Sequence, residues 1–136
     1  MIYYFATTLA IPFEEGVRRT KAALQEEGFG VLSEIDVAAT LKQKIGVEFR
    51  PYRILGACNP ALAYQALQQE DKIGTMLPCN LVVQEQAPGS VEIAAIDPVA
   101  SMQAVENPAL GAVAATVRSK LAAVVKRLEA GNQDRP

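Results

Sequence analysis

The chain has 136 residues, a formal charge of −2, no histidine and two cysteines, and half of its residues are hydrophobic. Its length suits one domain, which buries roughly two-thirds of its unfolded surface and folds without a metal or disulfide staple. Interspersed charge leaves no basic stripe for nucleic acid, the apolar runs fall short of the ~18 residues of a membrane span, and the missing histidine removes Ser-His and Cys-His nucleophile pairs and histidine-containing zinc sites. Two cysteines cannot supply an all-cysteine tetrahedral zinc site either.

The opening stretch Ile2 to Thr8 is rich in β-formers and reads as a strand, not as a basic-ended secretory leader. Without an export signal, the expectation is a cytoplasmic chain with reduced thiols. Phe13 to Glu27 reads as a helix, with Phe13, Val17, Thr20 and Leu24 on one face and Gly28 ending it. Phe29 to Ile35 reads as a strand that places Phe29, Val31, Ser33 and Ile35 on one side. Asp36 is a plausible N-cap for a short helix through Val37, Leu41 and Ile45, closed by Gly46.

Tyr52 to Cys58 reads as the third strand, and Pro60 to about Asp71 as a helix with Ala63, Ala66 and Leu67 inward. Lys72 to Leu77 reads as a loop. Cys79–Glu85 and Ser90–Asp97 read as strands joined through Pro88-Gly89, which predicts a hairpin. Leu110 to Leu128 repeats apolar residues at spacings of three and four, the clearest helix of the chain. The order β-α-β-α-β-α-β-β-α predicts an α+β domain over 1–129, with a mainly antiparallel sheet and helices packed on one face. Residues 130–136 read as a polar, disordered tail.

Four places invite a functional reading. Cys58-Asn59-Pro60 puts a thiol beside a helix start, where the dipole and free N–H groups favour thiolate. Asn as N-cap and Pro as first helical residue explain the same three residues structurally. Leu77-Pro78-Cys79-Asn80 puts a second thiol at a strand start on the sheet rim, where it could react; a buried thiol behind a structural proline explains the same residues. If the two strands were parallel neighbours joined by a right-handed crossover, the cysteines would lie at opposite sheet edges, too far apart for a disulfide unless the strands are antiparallel or the bond crosses a dimer. Glu34, Glu48 and Asp97 are carboxylates near element ends; two of them in a cleft could do acid/base work or bind a hard cation, with a solvated face and a helix cap as the plainer explanations. Lys72-Ile73-Gly74-Thr75 lacks phosphate-loop spacing, and Arg50 and Arg53, which flank Pro51-Tyr52, could meet an anion or equally form a solvated strand edge.

The segments Ile54-Leu55-Gly56-Ala57-Cys58-Asn59-Pro60, Ile73-Gly74 through Leu77-Pro78-Cys79-Asn80-Leu81-Val82-Val83, and Ala95-Ile96-Asp97-Pro98 together resemble the bacterial and archaeal DUF302 family. The resemblance runs from Ile2 to about Leu128. It implies a small α+β domain that tends to form homodimers, with Asn59, Pro60, Pro78, Cys79, Asn80, Asp97 and Pro98 as motif positions and no established activity. Some members occur in sulfur-metabolism settings, which suggests a thiol role. The resulting expectation is a homodimeric module binding a small molecule or a protein at a rim pocket near Cys79, with Asn80, Cys58, Asn59, Glu34 and Asp97 as further candidates. The alternative is a sulfur, redox or soft-metal protein using Cys79 or Cys58. Neither reading names a cofactor, nucleic acid or membrane as a partner, and no residue is assigned a catalytic role.

Overall fold

The computed structural model describes residues 2–133. In chain order these form β1 (Tyr4–Leu9), α1 (Phe13–Glu26), β2 (Gly30–Asp36), α2 (Val37–Ile45), β3 (Tyr52–Cys58), α3 (Pro60–Gln69), a 3-10 turn (Asp71–Met76), β4 (Cys79–Ala87), β5 (Ser90–Ile96), α4 (Pro98–Ser101) and α5 (Leu110–Gln133). One five-stranded sheet, ordered β1-β5-β4-β3-β2, joins all the strands, and every neighbouring pair is antiparallel. The α+β architecture read from the sequence is the one observed.

Alternation along the strands sorts the two faces of the sheet. Leu9 of β1, Leu55 and Ala57 of β3, Cys79, Leu81 and Val83 of β4, and Val91, Ile93 and Ala95 of β5 point to one face and are buried. Leu24, Val17 and Ala23 of α1 and Leu121, Val124, Val125 and Leu128 of α5 cover them, giving the main core. Such burial is worth about 1.5–3 kcal/mol for each large aliphatic side chain, which is why the stripes on α1 and α5 fix these helices to the sheet. Ala66 of α3, Ile73 and Leu110 form a second, smaller cluster where α3 meets α5 at the sheet end.

The predicted caps form. Asp36 accepts a hydrogen bond from the Ala39 N–H at 2.9 Å, and Asn59 from that of Leu62 at 3.2 Å. Gly46 closes α2 at φ 69°, a left-handed position where a side chain would be strained.

One open reading is decided and three are corrected. First, β3 and β4 run antiparallel, with Ala57 opposite Cys79. The segment between them turns back at one end of the sheet instead of crossing over it, so the two cysteines share that end. Second, the pairing of β2 with β3 slips between Val31 and Ser33, leaving Leu32 as an extra, 70 % exposed residue. Past this bulge the alternation inverts: Val31 packs on the core, Ser33 and Ile35 point to the other face, and Glu34 lies opposite Leu55 instead of sharing a face with Leu32. Third, Lys72–Leu77 is not an irregular loop, since most of it is the 3-10 turn. Fourth, α5 continues to Gln133, so the first residues of the expected tail are helical, while 134–136 lie outside the described residues. No helix among the described residues is long and apolar enough to cross a membrane.

Candidate functional site

Cys79 is the first residue of β4 and its side chain enters the core, where it is 8 % exposed. Burial, with a smaller contribution from the nearby Cys58, pushes its thiol up to about 11. At neutral pH it is therefore the protonated thiol, the wrong form for a nucleophile or a soft-metal ligand. Antiparallel pairing brings Cys58 to the same sheet end, yet both thiols are free. Alternation explains why: the residue directly opposite Cys79 is Ala57, and its chain neighbour Cys58 starts from the other side of the pleat. The space the two cysteines share with Phe29, Leu62, Ala66 and Val117 is apolar and about 30 Å³, too small for a ligand.

Asn59, Asp97 and Glu34 are held in structural roles. Asn59 caps α3, preceding Pro60 at the first helical position. Asp97 is 8 % exposed, caps α4 through the Val99 N–H at 3.0 Å, and takes Arg118 Nε at 3.1 Å. Glu34 clips α1 to the edge of the sheet: Lys21 Nζ lies 2.6 Å from one carboxylate oxygen and Arg53 Nη1 3.0 Å from the other. The Lys21 hydrogen bond, ahead of that from Arg53, holds the Glu34 carboxyl below the ordinary carboxylate range. Arg53 also reaches Glu14 at 3.0 Å and lies over the Phe13 ring. Glu48 is apart from these, in an exposed pair with Lys42. Among the described residues no group of three or more Cys, Asp or Glu is arranged to hold a metal ion.

Asn80 has a different setting. It points away from the core onto the second face of the sheet, which is only partly shielded from solvent. Three rows of side chains cross that face. The middle row is apolar through all five strands: Ala6, Ala94, Val82, Ile54 and Ile35. On one side of it Tyr4 stands next to Ile96, and Asn80 next to Gly56 and Ser33. On the other side run Thr8, Glu92, Gln84 and Tyr52. A cavity of about 570 Å³ lies over Asn80, Val82, Gln84, Glu92, Ala94 and Ile96. Its walls are Tyr3 and Tyr4 at one flank, Tyr52 at the other, the segment Thr75–Pro78, and Ser101. Cys79 borders it as well, at the strand position whose side chain is buried.

Polar contacts order one flank. Gln84 accepts from Arg50 Nε at 2.8 Å and donates to Glu92 at 3.0 Å, a ladder across the sheet. The Arg50 guanidinium stacks on Phe49, 4.3 Å from the ring centroid, and Tyr52 lies beyond it. At the other end of the cavity, Gly56 lets the backbone pass under the wall: a Cβ there would stand 2.7 Å from Pro78 Cγ and 2.2 Å from Ser33 Oγ.

Of the six residues singled out in the sequence, Cys79 and Asn80 border this cavity, and Cys58 and Asn59 border the small apolar space beside it. Glu34 and Asp97 do neither. Tyr4, Tyr52, Gln84, Glu92 and Ala94 were missed. The available signal was the two-residue alternation of β4 and β5, whose second side carries Asn80, Val82, Gln84, Glu92, Ala94 and Ile96, neither a pure solvent face nor a second core.

Fold and site together define a small α+β domain with one sheet face sealed by helices and a cavity on the other. The profile described as "Domain of unknown function DUF302" matches residues 5–128, and the chain belongs to that family. A crystal structure of an uncharacterized conserved DUF302 protein from Bacillus stearothermophilus is similar to it at a TM-score of 0.86 and 32 % identity, over 93 % of this chain and 98 % of that one. No curated protein matches the chain.

Proposed function

We propose that this protein is a homodimeric binding module that holds a small ligand in the cavity over the second sheet face, beside Asn80 and Cys79. The observation that carries this reading is the cavity itself: about 570 Å³, within the roughly 300–1,000 Å³ of small-molecule sites, with an apolar floor and a few polar groups at its margins. Binding without chemistry fits a lining in which Glu92 is the one charged side chain and Cys79 is held as a neutral thiol. The same thiol state sets the sulfur, redox or soft-metal alternative behind the binding reading. The homodimer is implied by the family, and Leu32, Ile35, Ile45 and Val47 support it as apolar side chains left exposed on β2 and around α2.

Nile red, a neutral planar dye that brightens in apolar surroundings, tests the cavity. Its fluorescence rises saturably with the native protein and not with Ala94→Phe, which fills the floor. Equal enhancement with both proteins, or none with either, would reject the cavity as the binding site. Sedimentation velocity tests assembly: a species of twice the chain mass is expected, and a monomer at all concentrations would remove the dimer.

A further inference from the structure

We infer that the cavity selects an uncharged planar heterocycle with an amide-like edge, an N–H beside a C=O, and that Asn80 reads that edge. The inference rests on the cavity being a binding site and specifies what it binds. Charge comes first. Glu92 is the one charged residue in the lining, and its carboxylate is already engaged by Gln84, whose amide oxygen is engaged by Arg50. A phosphate or carboxylate entering the cavity meets that carboxylate and no cation among the lining residues. An organic cation meets a carboxylate whose charge is partly satisfied by the same ladder. The lining therefore favours a neutral ligand.

Hydrogen-bonding capacity comes second. Four polar side chains around the cavity are committed within the protein, whereas the Tyr3, Tyr4 and Tyr52 hydroxyls at its flanks and the Asn80 amide are not. Gln84 uses both ends of its amide, Thr75 Oγ1 donates to the Lys72 carbonyl at 2.9 Å, and Ser101 Oγ donates to that of Pro98 at 3.2 Å. The exposed Asn80 side chain makes no hydrogen bond with the described residues and lines the cavity together with Leu77 and Pro78. A carboxamide offers two donors and an acceptor side by side. Its complement is a group with a donor and an acceptor at the same spacing, as on the edge of a lactam or a pyrimidine.

Shape comes third. Next to Asn80 the sheet surface is low, because its cross-strand neighbour is Gly56 and the row beyond contains Ala94 and Ala6. Tyr4 and Tyr52 stand on strands three spacings apart, roughly 14 Å at the usual inter-strand distance. A flat ring laid on Val82 and Ala94 between them presents its edge to Asn80 and its face to the apolar row.

Uracil is the smallest probe with such an edge. 1,3-Dimethyluracil keeps the ring and loses both donors, and orotate keeps the edge and adds a negative charge. Titrations are followed by the amide and side-chain NH₂ signals of isotope-labelled protein. Uracil shifts the Asn80 NH₂ pair saturably, and dimethyluracil and orotate bind roughly two- to tenfold more weakly, as the loss of one hydrogen bond at an exposed amide or one unfavourable charge dictates. Asn80→Leu abolishes the difference between uracil and dimethyluracil. Asn80→Asp, nearly isosteric and at an exposed position, loses uracil as well, which guards against misfolding of the first variant. Uracil failing to bind up to its solubility limit, equal binding of uracil and dimethyluracil, or a preference that survives in Asn80→Leu each overturns the assignment. If Nile red still binds in those cases, the cavity reading stands and only the ligand class is lost; if Nile red also fails, the cavity reading falls with it.

Discussion

Gly56→Ala tests the architecture at the margin of the cavity, because the bulge in β2 decides what the new methyl meets. A Cβ at position 56 would stand 2.7 Å from Pro78 Cγ and 2.2 Å from Ser33 Oγ, well inside the ~3.5 Å at which such atoms rest. Overpacking of this kind costs about 1–3 kcal/mol. The substitution also removes backbone freedom from the unfolded chain, which offsets about 0.4–1 kcal/mol because Gly56 has no positive φ. A net loss of about 1–2 kcal/mol follows. The two clashes differ in kind. Ser33 is exposed and its hydroxyl can rotate away, whereas the Pro78 ring is fixed at the cavity wall. Ser33→Ala alone is therefore expected within about 0.5 kcal/mol of the native protein, and it should recover part of the Gly56→Ala loss when combined with it. Urea unfolding followed by far-UV circular dichroism measures all four proteins, since the chain has no tryptophan to report by fluorescence. A Gly56→Ala protein as stable as the native one, or strict additivity with Ser33→Ala, refutes the placement of Ser33 against Gly56 and with it the register of the second sheet face.

Cys79 ionises from about pH 9 in the unfolded chain and only near about 11 in the folded one. Its raised value therefore favours folding fully below pH 9, and that contribution, on the order of 2–3 kcal/mol, is lost as the pH climbs to about 11. The native protein should lose more stability over this window than Cys79→Ala; parallel pH profiles would contradict the burial of the thiol. Iodoacetamide at pH 7.5 should leave Cys79 unmodified in the native protein and label it once urea unfolds the chain, with rapid native labelling read by mass spectrometry as the contrary result. Asp97→Ala removes the α4 cap and the Arg118 partner and should lower stability by about 1–2 kcal/mol while leaving Nile red binding intact. Lost binding without lost stability would return Asp97 to the site.

The sequence by itself determined the five strands, helices α1, α2, α3 and α5, and the capping residues. Local chemistry sufficed there: Asp36, Asn59-Pro60 and Asp97-Pro98 start helices by satisfying nearby N–H groups, and the spacing in Leu110–Leu128 can bury a stripe only as a helix. It also marked Cys79-Asn80 as the stretch to watch. Tertiary structure decided which of the two residues matters. One step of alternation sends the Cys79 thiol into the core, where burial keeps it protonated, and the Asn80 amide onto the open face, where nothing in the described chain satisfies it. That step depends on which sheet face the helices cover, on the antiparallel return of β4 beside β3, and on the extra residue at Leu32 that inverts the far half of β2. These are pairings between residues distant in the chain, and no local pattern around position 79 contains them. For the same reason the cavity was not legible: Tyr4, Tyr52, Asn80 and Glu92 come from four strands, and only the sheet order β1-β5-β4-β3 brings them to one place.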